Sequence, residues 1–428
     1  MVKIFTEKGR AIKSAFFMED MKMTESIEKE LLEEIKEDHK YIVSLRRHFH
    51  MNPEIAKEEF QTALKIEEEL DKIGLAHKRV GETGVYAEIK GNKKSGETSS
   101  TDSPPKAIVL RADIDALPIQ ETHECEYKSK IPGCMHACGH DAHTASLLGA
   151  ARILTAHKDL FSGTIRLTFQ AGEEIGYGAR IFVDGGYLDD AYITFGMHAA
   201  SNVPSGKVAV VPGPNNASVD WFKITVKGAP AHVSTPQLGS DAAYIASQIV
   251  ISTQALITRR TSPMDNVLVG IGKITAGDAY NIVAQKAELE GTIRAFTPEV
   301  REKTKQMLSD MAKQTAQLFG GDAQVEYKDF TSPLINDQTS TEEVQKTAVR
   351  LFGEENVIKN RQASLGGDDF AEYILKVPGT YAYFGTGNPV KEGTTAAHHD
   401  SKFDIDEEAL LQSVSLYTFY AIDFLNQE

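Results

Sequence analysis

A thiol and an imidazole two positions apart across a glycine, Cys138-Gly139-His140 within His136-Ala137-Cys138-Gly139-His140-Asp141, are the residues of this 428-residue chain best suited to hold a metal. Thiolate and neutral imidazole bind borderline-soft divalent ions, and the glycine lets the backbone turn both toward one point. Further donors stand downstream: Glu173-Glu174 after an apolar run, His198 after another, and His398-His399 near the C-terminus. A catalytic divalent ion usually takes three protein ligands and keeps one position open, so two ions need six protein bonds. Cys138, His140, Glu174, His198 and one of His398 and His399 make five ligands, and a Cys138 thiolate shared by both ions supplies the sixth bond. One thiolate and one carboxylate leave two divalent ions with excess positive charge, which acidifies bound water and polarises a substrate carbonyl. Glu173, beside a ligand but free of the metals, can then take the water proton and pass it to a leaving amine. Asp115 is expected to orient His140 or its neighbours from behind.

Two other chemistries fit less well. A Cys138 nucleophile with His140 as base leaves Glu173, Glu174 and His198 without roles. A zinc deaminase needs Pro-Cys-x-x-Cys, whereas Pro132 is followed by Gly133, and Cys134 and Cys138 are four apart. A non-catalytic metal-bearing binding protein is the alternative from a different class; its site would have no use for the spare carboxylate of Glu173.

The elements that must position these residues alternate in type. Apolar residues at Ile27, Leu31, Leu32, Ile35, Ile42 and Leu45, and again over 60–70, recur at helical spacing. A strand over 107–110 leads into Arg111-Ala112-Asp113-Ile114-Asp115, followed by a helix over 142–156, a strand over 164–169, a helix near 179–183 and a strand over 192–196. This order predicts an α/β fold with a mostly parallel central sheet and helices on both faces. Asp113, Asp115, Glu173, Glu174 and His198 are expected just past the carboxyl ends of strands, where open α/β sheets place their ligands. Around 212–214 the pattern changes to strand (221–226), helix (241–258), strands (266–273 and 287–296), helix (300–318) and strand (323–330). That is β-α-β-β-α-β, a smaller inserted α+β domain. Segments 345–352, 366–374 and 380–386 return to the first domain. The expected division is a loose extension over 1–23, a catalytic metal-binding domain over 24–212 and 331–428, and an insert over 213–330, with a solvated loop over 91–106.

Composition narrows the setting. With 41% hydrophobic and 25% charged residues the chain reads as an ordinary globular protein of two domains. A formal charge of -15 weighs against nucleic acid and against an anionic membrane as partners. The apolar patch at Ala15-Phe16-Phe17-Met18 is too short for a signal-peptide core, and no run is long enough to span a bilayer. Three crowded cysteines, Cys125, Cys134 and Cys138, do not make a disulfide framework, so a reducing, cytoplasmic location is expected.

Several separated motifs carry a resemblance that spans Leu45 to the C-terminus. They are Leu45-Arg46-Arg47-His48-Phe49-His50-Met51-Asn52-Pro53-Glu54, Arg111-Ala112-Asp113-Ile114-Asp115-Ala116-Leu117-Pro118, Met135 through Asp141, Gly172-Glu173-Glu174, Gly196-Met197-His198 and His399-Asp400-Ser401-Lys402-Phe403-Asp404. Together they resemble the amidohydrolase branch of the aminoacylase and carboxypeptidase superfamily of two-metal peptidases, which includes hippurate, indole-acetyl-amino acid and aminobenzoyl-glutamate hydrolases. The resemblance implies that Cys138, His140, Glu174, His198 and His399 bind the metals and that Glu173 is the general base. It favours His399 over His398 because the family's ligand precedes an aromatic residue by four positions, here Phe403. It further implies that the insert acts in dimerisation and supplies substrate contacts: His232 as an oxyanion donor, Asn281, and Arg294 for a substrate carboxylate. Ala284 stands where proline is common, Ala171-Gly172 replaces a Pro-Ala pair, and Asp368 stands where Glu is usual; these departures bear on the substrate pocket and not on the metal set. The expectation is a homodimeric, metal-dependent amidohydrolase that cleaves small N-acyl or N-aroyl amino acids with two divalent ions, zinc, manganese or cobalt. A dipeptidase or carboxypeptidase of the same superfamily is the alternative.

Overall fold

The structure, a computed structural model, describes residues 25–93 and 106–427. The extension over 1–23 and most of the 91–106 loop lie outside the described residues.

An eight-stranded sheet forms the larger part. Its order is His77–Val80, Gly84–Lys90, Thr164–Gln170, Ala107–Asp113, Ile193–Pro204, Gly379–Gly387, Val208–Ala209 and Val357–Ile358. The four strands from Thr164–Gln170 to Gly379–Gly387 run parallel. Ala107–Asp113 is buried at every position, as a parallel strand covered on both faces must be. Its side chains alternate between two cores: Ile108 and Leu110 point to one with Leu45, Leu147, Leu154 and Phe195, and Val109 to another with Phe182, Phe370 and Tyr373. Helices His39–Met51, Phe60–Lys72, His140–Ala156, Gln338–Phe352 and Ala409–Leu425 contribute to the first core, and the shorter Gly178–Asp184 and Phe370–Lys376 to the second.

Helix His140–Ala156 is buried along almost its whole length. Gly149 makes that fit possible, since a Cβ there would sit 3.0 Å from Val414 Cγ2 and 3.1 Å from Ile42 Cγ1, side chains of the two flanking helices. The helix Ala409–Leu425 and the antiparallel hairpin of His77–Val80 and Gly84–Lys90 have no counterpart in the sequence reading. The helix is apolar on nearly all sides, with Leu410, Val414, Tyr417, Tyr420 and Ala421 all buried, so it lacks the one-sided stripe that marks an amphipathic helix.

The insert has its own sheet, in the order Asp322–Thr331, Val219–Lys227, Lys286–Ala295, Val267–Ala276, antiparallel throughout. Helices Ala242–Ala255 and Pro298–Leu318 complete the β-α-β-β-α-β order and enclose a separate core of Phe222, Ile224, Ile245, Ile249, Leu289 and Leu308. Both helices start at side-chain caps: Asp241 accepts from the amides of Ala243 and Tyr244, and Thr297 from that of Val300, with Pro298 following. Strands Gly213–Asn216 and Leu334–Asn336 pair antiparallel, so the chain enters and leaves the insert side by side.

Candidate metal centre

Three turns of backbone, at Gly139, Gly172 and His399, bring the donors together at the carboxyl rim of the parallel strands. Gly139 takes φ +97°, and a Cβ on it would come within 2.9 Å of Ala199 Cβ. Only glycine lets Cys138 and His140 turn onto the same point there. Gly172, at φ +64°, opens the short turn Glu173–Ile175 just past strand Thr164–Gln170. His399 is itself left-handed at φ +67°, uncommon for a residue with a side chain, and its amide donates to Ala137 O at 2.8 Å, tying the C-terminal loop to the Cys138 segment. His198 departs from expectation: it lies inside strand Ile193–Pro204, which continues to pair with Gly379–Gly387 beyond it.

Cys138, His140 and Glu174 offer donor atoms within 4.8 Å of one another, and so do Cys138, His198 and His398. His399 Nε2 lies 3.3 Å from Glu174 Oε1. All six of these side chains therefore meet around Cys138 and Glu174, and both members of the histidine pair reach the site. Glu173 belongs to a different group, with Asp368 and Asp369.

Several donor atoms at the centre are left without hydrogen-bond partners. His140 Nδ1 donates to the backbone carbonyl of Asp115 at 2.9 Å, while its Nε2, like Glu174 Oε1 and His398 Nδ1, is buried without a hydrogen-bond partner. His198 Nδ1 donates to Ala199 O at 2.6 Å, which turns Nε2 to within 3.4 Å of Cys138 Sγ. A bond from one ring nitrogen to a carbonyl, with the other turned toward the cluster of donors, is the arrangement of a metal-binding histidine. Orphaned buried donors of mixed sulfur, nitrogen and oxygen type thus fit divalent cations of the borderline class.

The negative charge gathered around the donors raises the proton affinity of several of them. Burial pushes the Cys138 thiol well above its ordinary range, and Glu174 and Glu173 push it further. Burial alone would lower His140, but Asp113 and Asp115 outweigh it and hold the imidazole at about 10. Burial, then His143 and His398, hold His198 well below the usual histidine range. Glu173 is raised well above the ordinary carboxylate range by burial, then by Asp368 and Glu174.

Asp115 does more than support His140. Its two carboxylate oxygens accept the backbone amides of Glu173 and Glu174, each at 3.0 Å, so it anchors the turn that presents both glutamates. Asp115→Ala is expected to cost about 2–4 kcal/mol in unfolding free energy, since two amides lose a charged acceptor, and to lower kcat as the turn loosens. Urea denaturation and steady-state rates on the same preparation check both effects; an unchanged midpoint would remove the anchoring role.

Several supporting residues were not singled out from the sequence. His143 donates from Nδ1 to Asp113 and accepts the Ala199 amide on Nε2 at 2.8 Å. Arg111, fully buried, holds Asp113 at 2.6 Å and Asp369 at 2.9 Å. The segment Gly366-Gly367-Asp368-Asp369 reads as a turn, yet both its aspartates are buried at the site. Position i+3 from His140 on one helix is the available signal for His143, and the family resemblance draws attention to Asp368; nothing local points to Asp369.

The donors open onto a cavity of about 540 Å³ lined by Cys138, Glu173, Glu174, His198, His398 and His399 from the main sheet side, and by Arg294 and Phe330 from the insert. Arg294 is thus in the cleft. His232 and Asn281 are not: they are exposed neighbours on the insert, joined where the Val233 amide donates to Asn281 O, and they do not line the cavity.

Residues 109–423 match the model of peptidase family M20/M25/M40. The chain is 38% identical to an N-acetyl-L-cysteine deacetylase of Bacillus subtilis (strain 168) over 87% of its length and 86% of the relative's. It is 36% identical to thermostable carboxypeptidase 2 of Saccharolobus solfataricus, covering 93% of this chain and 98% of that one. A crystal structure described as a dinuclear metal-binding peptidase from the M20 family, from Bacillus subtilis, superposes with a TM-score of 0.79 at 33% identity, covering 92% of this chain and all of the other. With the fold, the cleft and these likenesses in agreement, the chain belongs to peptidase family M20/M25/M40.

Proposed function

We propose that this protein is a metal-dependent amidohydrolase that cleaves the amide of N-acyl or N-aroyl amino acids, with Glu173 as general base and acid. The convergence of Cys138, His140, Glu174, His198 and the 398–399 histidines on one rim, with Glu173 beside them and Arg294 across the same cavity, carries this reading. In it, Cys138, His140, Glu174, His198 and His399 hold two divalent ions, Cys138 shared between them; zinc, manganese and cobalt all accept such a set. The ions would polarise the scissile carbonyl and acidify water. Glu173, which lines the same cavity, would take a proton and return it to the leaving nitrogen. Arg294 supplies a charge-assisted contact for the carboxylate of the amino-acid part. His399 is preferred as the fifth ligand by its four-residue spacing to Phe403, with His398 the neighbour that packs against His198.

The reading divides the chain into a metal-binding domain, 24–212 with 331–428, and an insert, 213–330, through which two copies associate. Strand Val267–Ala276 lies at the edge of the insert's sheet and exposes Leu268 and Ile274, and the neighbouring helix exposes Tyr244 and Ile251; an apolar strand edge left bare is prone to pairing. His232 and Asn281, outside the cavity of their own chain, reach a substrate only if the insert moves or a second copy presents them. A cytoplasmic setting accords with the three free cysteines, and among the described residues no helix is long and apolar enough to cross a membrane.

Free-amine release by protein stripped and reloaded with zinc, manganese or cobalt tests the proposal, using N-acetyl, N-benzoyl and aminobenzoyl amino acids beside plain dipeptides. Metal-dependent cleavage of a blocked amino acid is the expected result. Cleavage of unblocked dipeptides alone would establish the dipeptidase or carboxypeptidase reading that the name of the Saccharolobus relative favours. Silence toward both, with metal bound, would leave a non-catalytic metal-binding protein.

A further inference from the structure

A second guanidinium faces the cleft. Arg361 lines the same cavity as Arg294, and among the described residues neither has a carboxylate at salt-bridge distance. Arg361 Nη1 is buried with no hydrogen-bond partner, and its guanidinium lies 3.8 Å from the centroid of the Tyr383 ring. That ring is held by a 2.7 Å bond from Tyr383 Oη to Asn216 Oδ1, and it packs 6.1 Å from the ring of His198. The stack therefore presents a fixed cation one aromatic ring away from the metal-site histidine.

The buried arginines of this strongly acidic chain behave differently. Arg46 pairs with Asp141 and Asp404, Arg111 with Asp113 and Asp369, and Arg301 with Asp220. The Arg361 nitrogen, shielded from water and given no acceptor, is costly to leave so, and with Arg294 lining the same cavity the cleft offers two guanidinium groups, one for each of two carboxylates. A planar guanidinium matches a carboxylate with two parallel bonds.

We infer that the preferred substrate is a dianion, an N-acyl amino acid with a second carboxylate, and that Arg361 is the residue that selects it. The inference rests on the amidohydrolase reading, in which Arg294 takes the carboxylate next to the scissile amide. The second carboxylate has two sources, the side chain of an acidic amino acid or the far end of a dicarboxylic acyl group, and the chemistry at Arg361 is the same for both.

Two substrate pairs of near-constant shape test this on the metal-loaded enzyme: N-acetylglutamate against N-acetylglutamine, and N-succinylalanine against N-succinamoylalanine. The charged member of one pair is expected to have a kcat/KM at least about tenfold higher, and the pair that shows it identifies the source. In Arg361→Gln that ratio should fall to near one, and in Arg361→Lys, which keeps the charge without the fork, to an intermediate value. Ratios near one for both pairs in the unmodified enzyme, or a ratio that survives Arg361→Gln, would overturn the proposal. If no member of either pair is hydrolysed, the amidohydrolase reading is what fails, and calorimetric binding of the same pairs decides Arg361 separately. Tighter binding of the charged member, lost in Arg361→Gln, supports the assignment; equal binding refutes it.

Discussion

Glu173→Gln is expected to retain its metal and lose on the order of 10² to 10⁴ in kcat, the usual worth of a positioned acid and base. The substitution keeps size and shape and removes only the titratable oxygen. Glu173 groups with Asp368 and Asp369 and not with the sulfur and imidazole donors, so the ions held around Cys138 should not depend on it. Its amide is fixed by Asp115, and its carboxyl lines the cavity in a buried, acid-rich setting that raises its proton affinity. A carboxylate in that setting is a stronger base than one in water. Metal analysis and steady-state kinetics on one preparation separate the outcomes. A near-normal rate would end the general-base assignment, and a loss of metal would move Glu173 into the ligand set.

Cys138→Ala should strip the site more completely than any other single change, with affinity falling by more than the ~10- to 100-fold that an outer partner costs. The thiol is the one donor that belongs to both of the groups around it, with His140 and Glu174 on one side and with His198 and His398 on the other. Metal binding must also displace protons, because burial raises the Cys138 thiol and the surrounding aspartates hold His140 at about 10. The ligating forms are the deprotonated ones, so affinity should rise with pH through neutrality toward about 10 and fall as the pH is lowered. Calorimetry in two buffers of different ionisation heat should show proton release on loading, and less of it for Cys138→Ala. Full occupancy in that variant would refute a shared thiolate.

Reading the site depended on which of its parts are local. Cys138 and His140 lie within one short motif, and Glu173 and Glu174 are adjacent, so their chemistry was visible as residue types at fixed spacing. The insert was equally legible, because each of its four strands and two helices has the length and flanking breaks of its type and its core is its own. His198 stands out by residue type, but its strand runs on to Pro204, past the apolar stretch that ends at Gly196, because Ala199, Ala200 and Pro204 pair with Gly379–Gly387. Asp115 sits against His140, as its place in the motif suggests, and its carboxylate also reaches the amides of the Glu173–Glu174 turn almost sixty residues away, which no local pattern shows.

The sequence by itself determined the candidate donors, the α/β class and the order of elements in the insert, because ligand chemistry and hydrophobic period are properties of neighbouring residues. Only the tertiary structure decided which groups share the cleft. Arg294 and Arg361 meet in one cavity while His232 and Asn281 stay outside it. Asp368 and Asp369, a turn by their local sequence, lie buried against Arg111 and Glu173. Those facts depend on how two sheets are set against each other and on where buried charges find partners, and a buried charge is decided by the whole packed interior around it.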